Sequence, residues 1–152
     1  MTVSRYEWVA PNSEIDELVA TLDTIVSLEG PSELDRLDDA VRCLGNLPHS
    51  DRAVDALFNV FERFPNTDDF GVFWSVLHAI EKQGGYEARL VQSVRRLPVE
   101  FNLVMVNRLL NSGTKVVDNT DLLGQVVENL NYSNSARKWA QEFSEFQRSR
   151  MT

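Results

Sequence analysis

The sequence predicts an all-α fold of about eight helices paired into antiparallel hairpins. Three observations predict it. Apolar residues recur at helical spacing from Ile15 to Phe146. Breakers rich in Gly, Pro, Asn and Ser divide that pattern, leaving connections short enough for antiparallel neighbours. No stretch alternates with period two for long; Val116-Val117 is the one short strand-like candidate, read as the start of a helix or a loop.

The first helix follows the start signal Pro11-Asn12-Ser13, and its stripe is Ile15, Leu18, Val19, Leu22, Ile25 and Val26. Glu29-Gly30-Pro31-Ser32 breaks it, with Ser32 placed to cap the second helix. Leu34, Leu37, Val41 and Leu44 form the second stripe, which ends at Gly45-Asn46-Leu47-Pro48. Ser50 caps the third helix, with apolar positions Ala53, Leu57, Val60, Phe61 and Phe64. Asp51 and Asp55 in its first turns complement the helix macrodipole.

Pro65-Asn66-Thr67 breaks the chain again. The fourth helix, Phe70 to Lys82, carries apolar residues round most of its circumference, which is the pattern of a buried helix. Gly84-Gly85 stops it. The fifth spans about Tyr86 to Leu97 and ends at Pro98. The sixth, about Glu100 to Asn111, is again apolar on several sides, and Asn111-Ser112-Gly113 closes it. Asp121 to Leu130 is the seventh. Ser133 caps the last, with stripe Ala136, Trp139, Ala140, Phe143 and Phe146.

Alternate helices start near residues 32, 69, 99 and 133. Such loosely even spacing is in the range of helical-hairpin repeats, although no residue motif repeats with it. It predicts an α-solenoid-like stack of about four hairpins with the fourth and sixth helices central. A compact irregular helical bundle is the competing architecture. A solenoid would present an extended surface to a partner.

Charge narrows the function. The 152 residues hold 15 Lys and Arg against 23 Asp and Glu, a net charge of −8. Residues 1–70 carry 15 acids and 5 bases, whereas residues 71–152 carry 8 and 10, so the acidity belongs to the N-terminal half. An acidic chain is a poor tracker of phosphates, and the basic pairs Arg95-Arg96 and Arg137-Lys138 are too few for a nucleic-acid footprint. A hydrophobic share of 43% is that of a globular chain, and the length suits one domain. The single cysteine, Cys43, allows no intrachain disulfide framework and no cysteine zinc site, which fits a reducing cytoplasm. The N-terminal MTVSRYEWVAPNSEIDEL lacks an apolar core and carries Glu7, unlike a signal peptide. The longest strongly apolar stretch, Gly71–Ile80, is far short of the roughly 20 residues a bilayer needs. A cytoplasmic protein with neither nucleic-acid nor membrane partners is expected.

Few residues suggest chemistry. Trp74, His78 and Glu81 share one face of the fourth helix, and His78 with Glu81 could supply two metal ligands. A metal needs three or four, and His49 is the only other histidine, so neither metal nor cofactor is expected. His78 either fills a polar gap beside Trp74 or joins it in a binding surface. Cys43 lies near Asp38 and Asp39, the wrong sign for an activated thiolate, and reads as a buried small apolar residue. No phosphate loop follows Gly84-Gly85. Asn102, Asn107, Arg108 and Asn111 on the sixth helix read as partners of neighbouring helix ends, or as a polar strip on a binding face. The carboxylates Asp35, Asp38, Asp39, Asp51, Asp55 and Glu62 fall opposite the apolar stripes of the second and third helices, with Asp68 and Asp69 extending them. Such an arc is either a solvated face or an electrostatic surface for a basic partner.

The stretch from Phe70 to Gly113 resembles the small all-helical, HEAT-like immunity proteins encoded beside bacterial polymorphic toxins and contact-dependent growth-inhibition toxins. Trp74, His78 and Glu81, the turn Gly85-Tyr86-Glu87, and the run Pro98 to Asn111 carry the likeness. The resemblance implies a non-enzymatic inhibitor that binds the toxin domain of a sibling cell and occludes its active site. Many such toxins are nucleases with basic clefts, which an acidic inhibitor could fill. The expected contact residues are the eight carboxylates above, with Trp74, His78 and Tyr86. A HEAT-like adaptor in another pathway, and an enzyme using His78/Glu81 or the carboxylate clusters, are the alternatives.

Overall fold

The computed structural model describes residues 11–65, 71–113 and 121–150. Among these there are eight helices and no strand: α1 (Pro11–Thr24), α2 (Pro31–Asn46), α3 (Asp51–Arg63), α4 (Val72–Gln83), α5 (Glu87–Arg96), α6 (Glu100–Asn111), α7 (Leu122–Glu128) and α8 (Asn134–Arg150). Val116-Val117, Phe70, Asp68 and Asp69 lie outside the described residues.

Each odd-numbered helix packs on the even-numbered one that follows it, giving four hairpins. The hairpins then stack. α3 packs on both α1 and α5, while α4 lies between α2 and α6, and α6 also meets α8. Contacts along α1, α3 and α5 and along α2, α4, α6 and α8 are those of hairpins stacked in two layers, and a compact helical bundle accommodates them equally. The even layer begins its helices at Pro31, Val72, Glu100 and Asn134, close to the spacing read from the sequence. One buried cluster runs through both layers from Ile15 to Ala140. At its centre Phe61, Phe73 and Phe101 join α3, α4 and α6, with ring centroids 5.4–5.7 Å apart. Aromatic rings at these separations add roughly 0.5–1.5 kcal/mol per pair beyond the area they bury.

The helix ends follow their caps with two exceptions. The Ser50 hydroxyl accepts from the Ala53 N–H at 3.3 Å, Asp121 from Gly124 at 3.0 Å, and Ser133 from Ala136 at 3.1 Å. Gly84 and Gly85 close α4 with φ of 73° and 56°, a left-handed turn that side chains resist. Ser32, expected to cap α2, instead lies in its first turn: the helix starts at Pro31 with Gly30 as N-cap, because proline at the first helical position needs no donor. α1 stops at Thr24, earlier than its apolar stripe suggests. The Arg63 guanidinium donates to the Leu22 carbonyl at 2.9 Å and also to that of Ile25, taking up the terminal acceptors. Ile25 and Leu28 still turn inward, but Val26 is exposed.

Cys43 corrects a further expectation, since it is exposed. On α2 the buried arc is Leu37, Ala40, Val41, Leu44 and Gly45. At 100° per residue, Cys43 points away from the middle of that arc. α4 is not apolar all round either: Trp74, His78 and Lys82, spaced by four, form its exposed stripe. No helix among the described residues is long and apolar enough to cross a membrane.

Candidate functional site

The acidic residues of α2 and α3 do not form one surface. Those of α3 face arginines from its own layer. Arg89 pairs with Asp51 at 2.9 Å and with Asp55 at 3.6 Å. Arg96 grips Glu62 with two hydrogen bonds of 2.7 and 2.8 Å, and the Ser93 hydroxyl donates a third at 2.8 Å. Arg52 of α3 in turn pairs with Asp16 of α1. The odd layer is thus laced by ion pairs running from helix to helix. Glu62 is the clearest departure from a solvated arc: its side chain is only 7% exposed, because α5 packs over it and supplies the compensating charge.

These pairings set the protonation behaviour. Hydrogen bonding to Arg89 and then to His49 holds the Asp51 carboxyl below its ordinary range. The Glu62 hydrogen bond raises the already high pKa of Arg96, and Glu81 does the same for Arg108.

The α2 carboxylates are placed differently. Asp35 and Asp38 line a groove between α2 and α4, about 350 Å³ in volume, with Pro31, Leu34, Arg42, Val72 and Ser75. Asp38 pairs within its own helix, with Arg42 at 3.0 Å. Asp35 and Asp39 are exposed and make no ion pair with any described residue. The groove continues past Arg42 and Ser75 into a hollow of about 400 Å³ lined by Asn46, His78, Ala79 and Lys82. The two helices meet closely here because Gly45 has no side chain. A Cβ at that position would stand 2.9 Å from that of Ala79.

Trp74 stands on the other flank of α4. It is 43% exposed, yet its ring is held edge-on to Phe101 at 5.2 Å and lies 6.3 Å from the His78 ring. An indole fixed from below and open above loses little freedom on binding. Glu81, which shares a face of α4 with His78, is engaged by α6. Arg108 takes both Glu81 oxygens at 2.9 Å, and no group of three metal-binding side chains occurs among the described residues.

Tyr86 is buried, unlike an exposed anchor. It borders a hollow with Glu81, Arg108, Leu109 and Ser112, of about 470 Å³. Burial, aided by the charges of Glu81 and Glu87, pushes its pKa up to about 12. The asparagines of α6 have structural partners. Asn102 is fully buried, accepts from the Val99 N–H at 2.8 Å and donates to Ser93 and to the Leu97 carbonyl, both at 3.0 Å. Asn107 and Asn111 accept from Gln147 of α8 at 2.7 and 2.8 Å.

The structure therefore unites Asp35, Asp38 and His78 along one groove, with Asp39 and Trp74 on the two helices that form it. Asp51, Asp55 and Glu62 are engaged towards α5, Tyr86 lies below the surface, and Asp68 and Asp69 lie outside the described residues. Sequence reading missed Arg42, Gly45, Ser75 and Lys82 as groove residues. Only Arg42 had a local signal, its spacing of four from Asp38. No protein-family model, curated protein or solved structure matches the chain.

Proposed function

We propose that this chain is an immunity protein that binds the toxin domain of its own bacterial system in the cytoplasm and neutralises it by occluding the active site. The resemblance of Phe70–Gly113 brings the class of partner. The observation that supports a binding role is Trp74, packed edge-on against Phe101 and 43% exposed on the layer that also bears Asp35 and Asp39, which make no ion pair with any described residue. Charge of one sign speeds encounter with a basic domain, and a desolvated tryptophan slows departure. Inhibition of this kind requires no catalysis from the inhibitor.

The decisive experiment co-expresses the chain with the protein encoded by the adjacent gene. Rescue of growth and a stoichiometric complex are expected. Charge reversal at Asp35 and Asp39 should slow association and flatten its salt dependence, while Trp74→Ala should mainly speed dissociation. A neighbour that is not toxic, or that neither binds nor is neutralised, refutes the proposal. Recovery of several unrelated cellular partners would favour an adaptor.

A further inference from the structure

We propose that the α2 N-terminal half of the groove is a seat for a single arginine or lysine side chain projected by a protein partner. This rests on the reading of the chain as a binding protein and names where and how it grips.

Three features of the groove point to that occupant. Half-buried Leu34 and buried Val72 are among its lining residues, so a methylene stem has apolar surface to cover. Asp35 stands on the same wall without an ion pair among the described residues, and Asp38 spends its charge only on Arg42, within its own helix. The third feature is a contrast. The α3 acids are met by arginines from α5, whereas Arg36, the other arginine of α2, donates to the Thr24 hydroxyl at 2.8 Å and to no carboxylate among the described residues. A long cation with an aliphatic stem complements a carboxylate set above an apolar wall. A short or neutral side chain satisfies only one of the two. Arg42, paired with Asp38, lies where the groove meets the adjoining hollow, and with Lys82 beyond it repels a second cation, which confines the site to the Asp35 end.

The probe is the peptide acetyl-Ala-Arg-Ala-amide, titrated at millimolar concentration into the full chain and followed by amide NMR shifts. Its counterpart with citrulline has the same shape without the charge. Shifts concentrated at residues 34–38 and 72–75 are expected with arginine and lost with citrulline. Asp35→Asn should weaken the arginine peptide about 1.5- to 5-fold, as exposed ion pairs do. Asp38→Asn should weaken it further, because it also frees Arg42 to oppose the guest. Leu34→Ala should weaken it without changing its salt dependence. Equal shifts with both peptides, or shifts scattered over the acidic residues of the whole chain, overturn the proposal. The neighbour-encoded protein separates this inference from the functional one. If the peptide seats but that protein does not bind, the immunity reading falls and the seat stands. If that protein binds and the peptide leaves the groove unshifted, the seat falls and the immunity reading stands.

Discussion

Gln83 ties the C-terminal ends of α2 and α4 to the start of α3, and replacing it with methionine tests that role. Its side chain is buried at the C-terminus of α4. The amide nitrogen donates to the carbonyls of Leu44 and Leu47 at 2.8 and 2.9 Å, while the amide oxygen accepts from the Ser50 N–H at 2.8 Å. One residue thus satisfies the last turn of α2, the loop after it and the N-cap of α3. Methionine keeps the volume and loses all three bonds. At a net value of about 1 kcal/mol each, the expected cost is about 3 kcal/mol. Leu44 retains a weak bond from the Leu47 N–H at 3.4 Å, which lowers the figure to about 2–3 kcal/mol. For a chain of this size that is a fall in Tm of about 5–10 °C. Urea unfolding followed by circular dichroism should show a lower midpoint and an unchanged slope. Gln83→Glu is the sharper companion. Above its pKa, its carboxylate faces two carbonyl oxygens and should cost at least as much as methionine; on protonation it regains one donor and should recover part of the loss. A change below about 0.5 kcal/mol in both variants would refute the assignment of Gln83 as the joint between α2, α3 and α4.

Other expectations concern single groups. Tyr86 should ionise near pH 12, later than an ordinary tyrosine at 10.0, and Tyr86→Phe should remove that late component from the absorbance titration at alkaline pH. A raised folded-state value means that the neutral phenol's contribution to stability is complete below 10.0 and disappears as pH rises through about 12. Asp51 has the opposite sign: its lowered value gives stability that is present above the ordinary value of 3.8 and lost as pH falls through the folded one. Asp51→Asn should therefore flatten the acid limb of the stability profile and leave its neutral plateau shifted slightly. Gly45→Ala should destabilise by about 1 kcal/mol despite the better helix propensity of alanine, since overpacking costs roughly 1–3 kcal/mol. Its new methyl would meet the Ala79 Cβ at 2.9 Å and the Ala79 Cα at 3.0 Å, so Ala79→Gly should rescue only part of the loss.

Helical periodicity and local caps made the elements legible in the sequence. Ser50 and Ser133 cap as expected because the capping bond spans three residues and needs nothing distant. The hairpin spacing was legible for a related reason, as it follows from helix length and connection length along the chain. Where distant groups intervene, the same reasoning stops short. At the end of α1 an arginine about 40 residues later donates to the Leu22 and Ile25 carbonyls, a partner that nothing near residue 24 records. Cys43 is exposed although its neighbour Leu44 is buried, because each residue turns the helix by 100°.

The candidate site divides along the same line. The sequence by itself determined that the N-terminal half carries excess acid, that α2 and α3 carry it away from their apolar stripes, and that an aromatic stands beside a histidine on α4. Which of those acids are spoken for depends on which helices become neighbours. Stacking set α5 against α3, so Arg89 and Arg96 neutralise Asp51, Asp55 and Glu62. Stacking also set α4 against α2, which placed Asp35 on a groove where it makes no ion pair with any described residue. Composition counts charges, but Coulomb energy depends on separation and on burial, and both are properties of the packed layers alone.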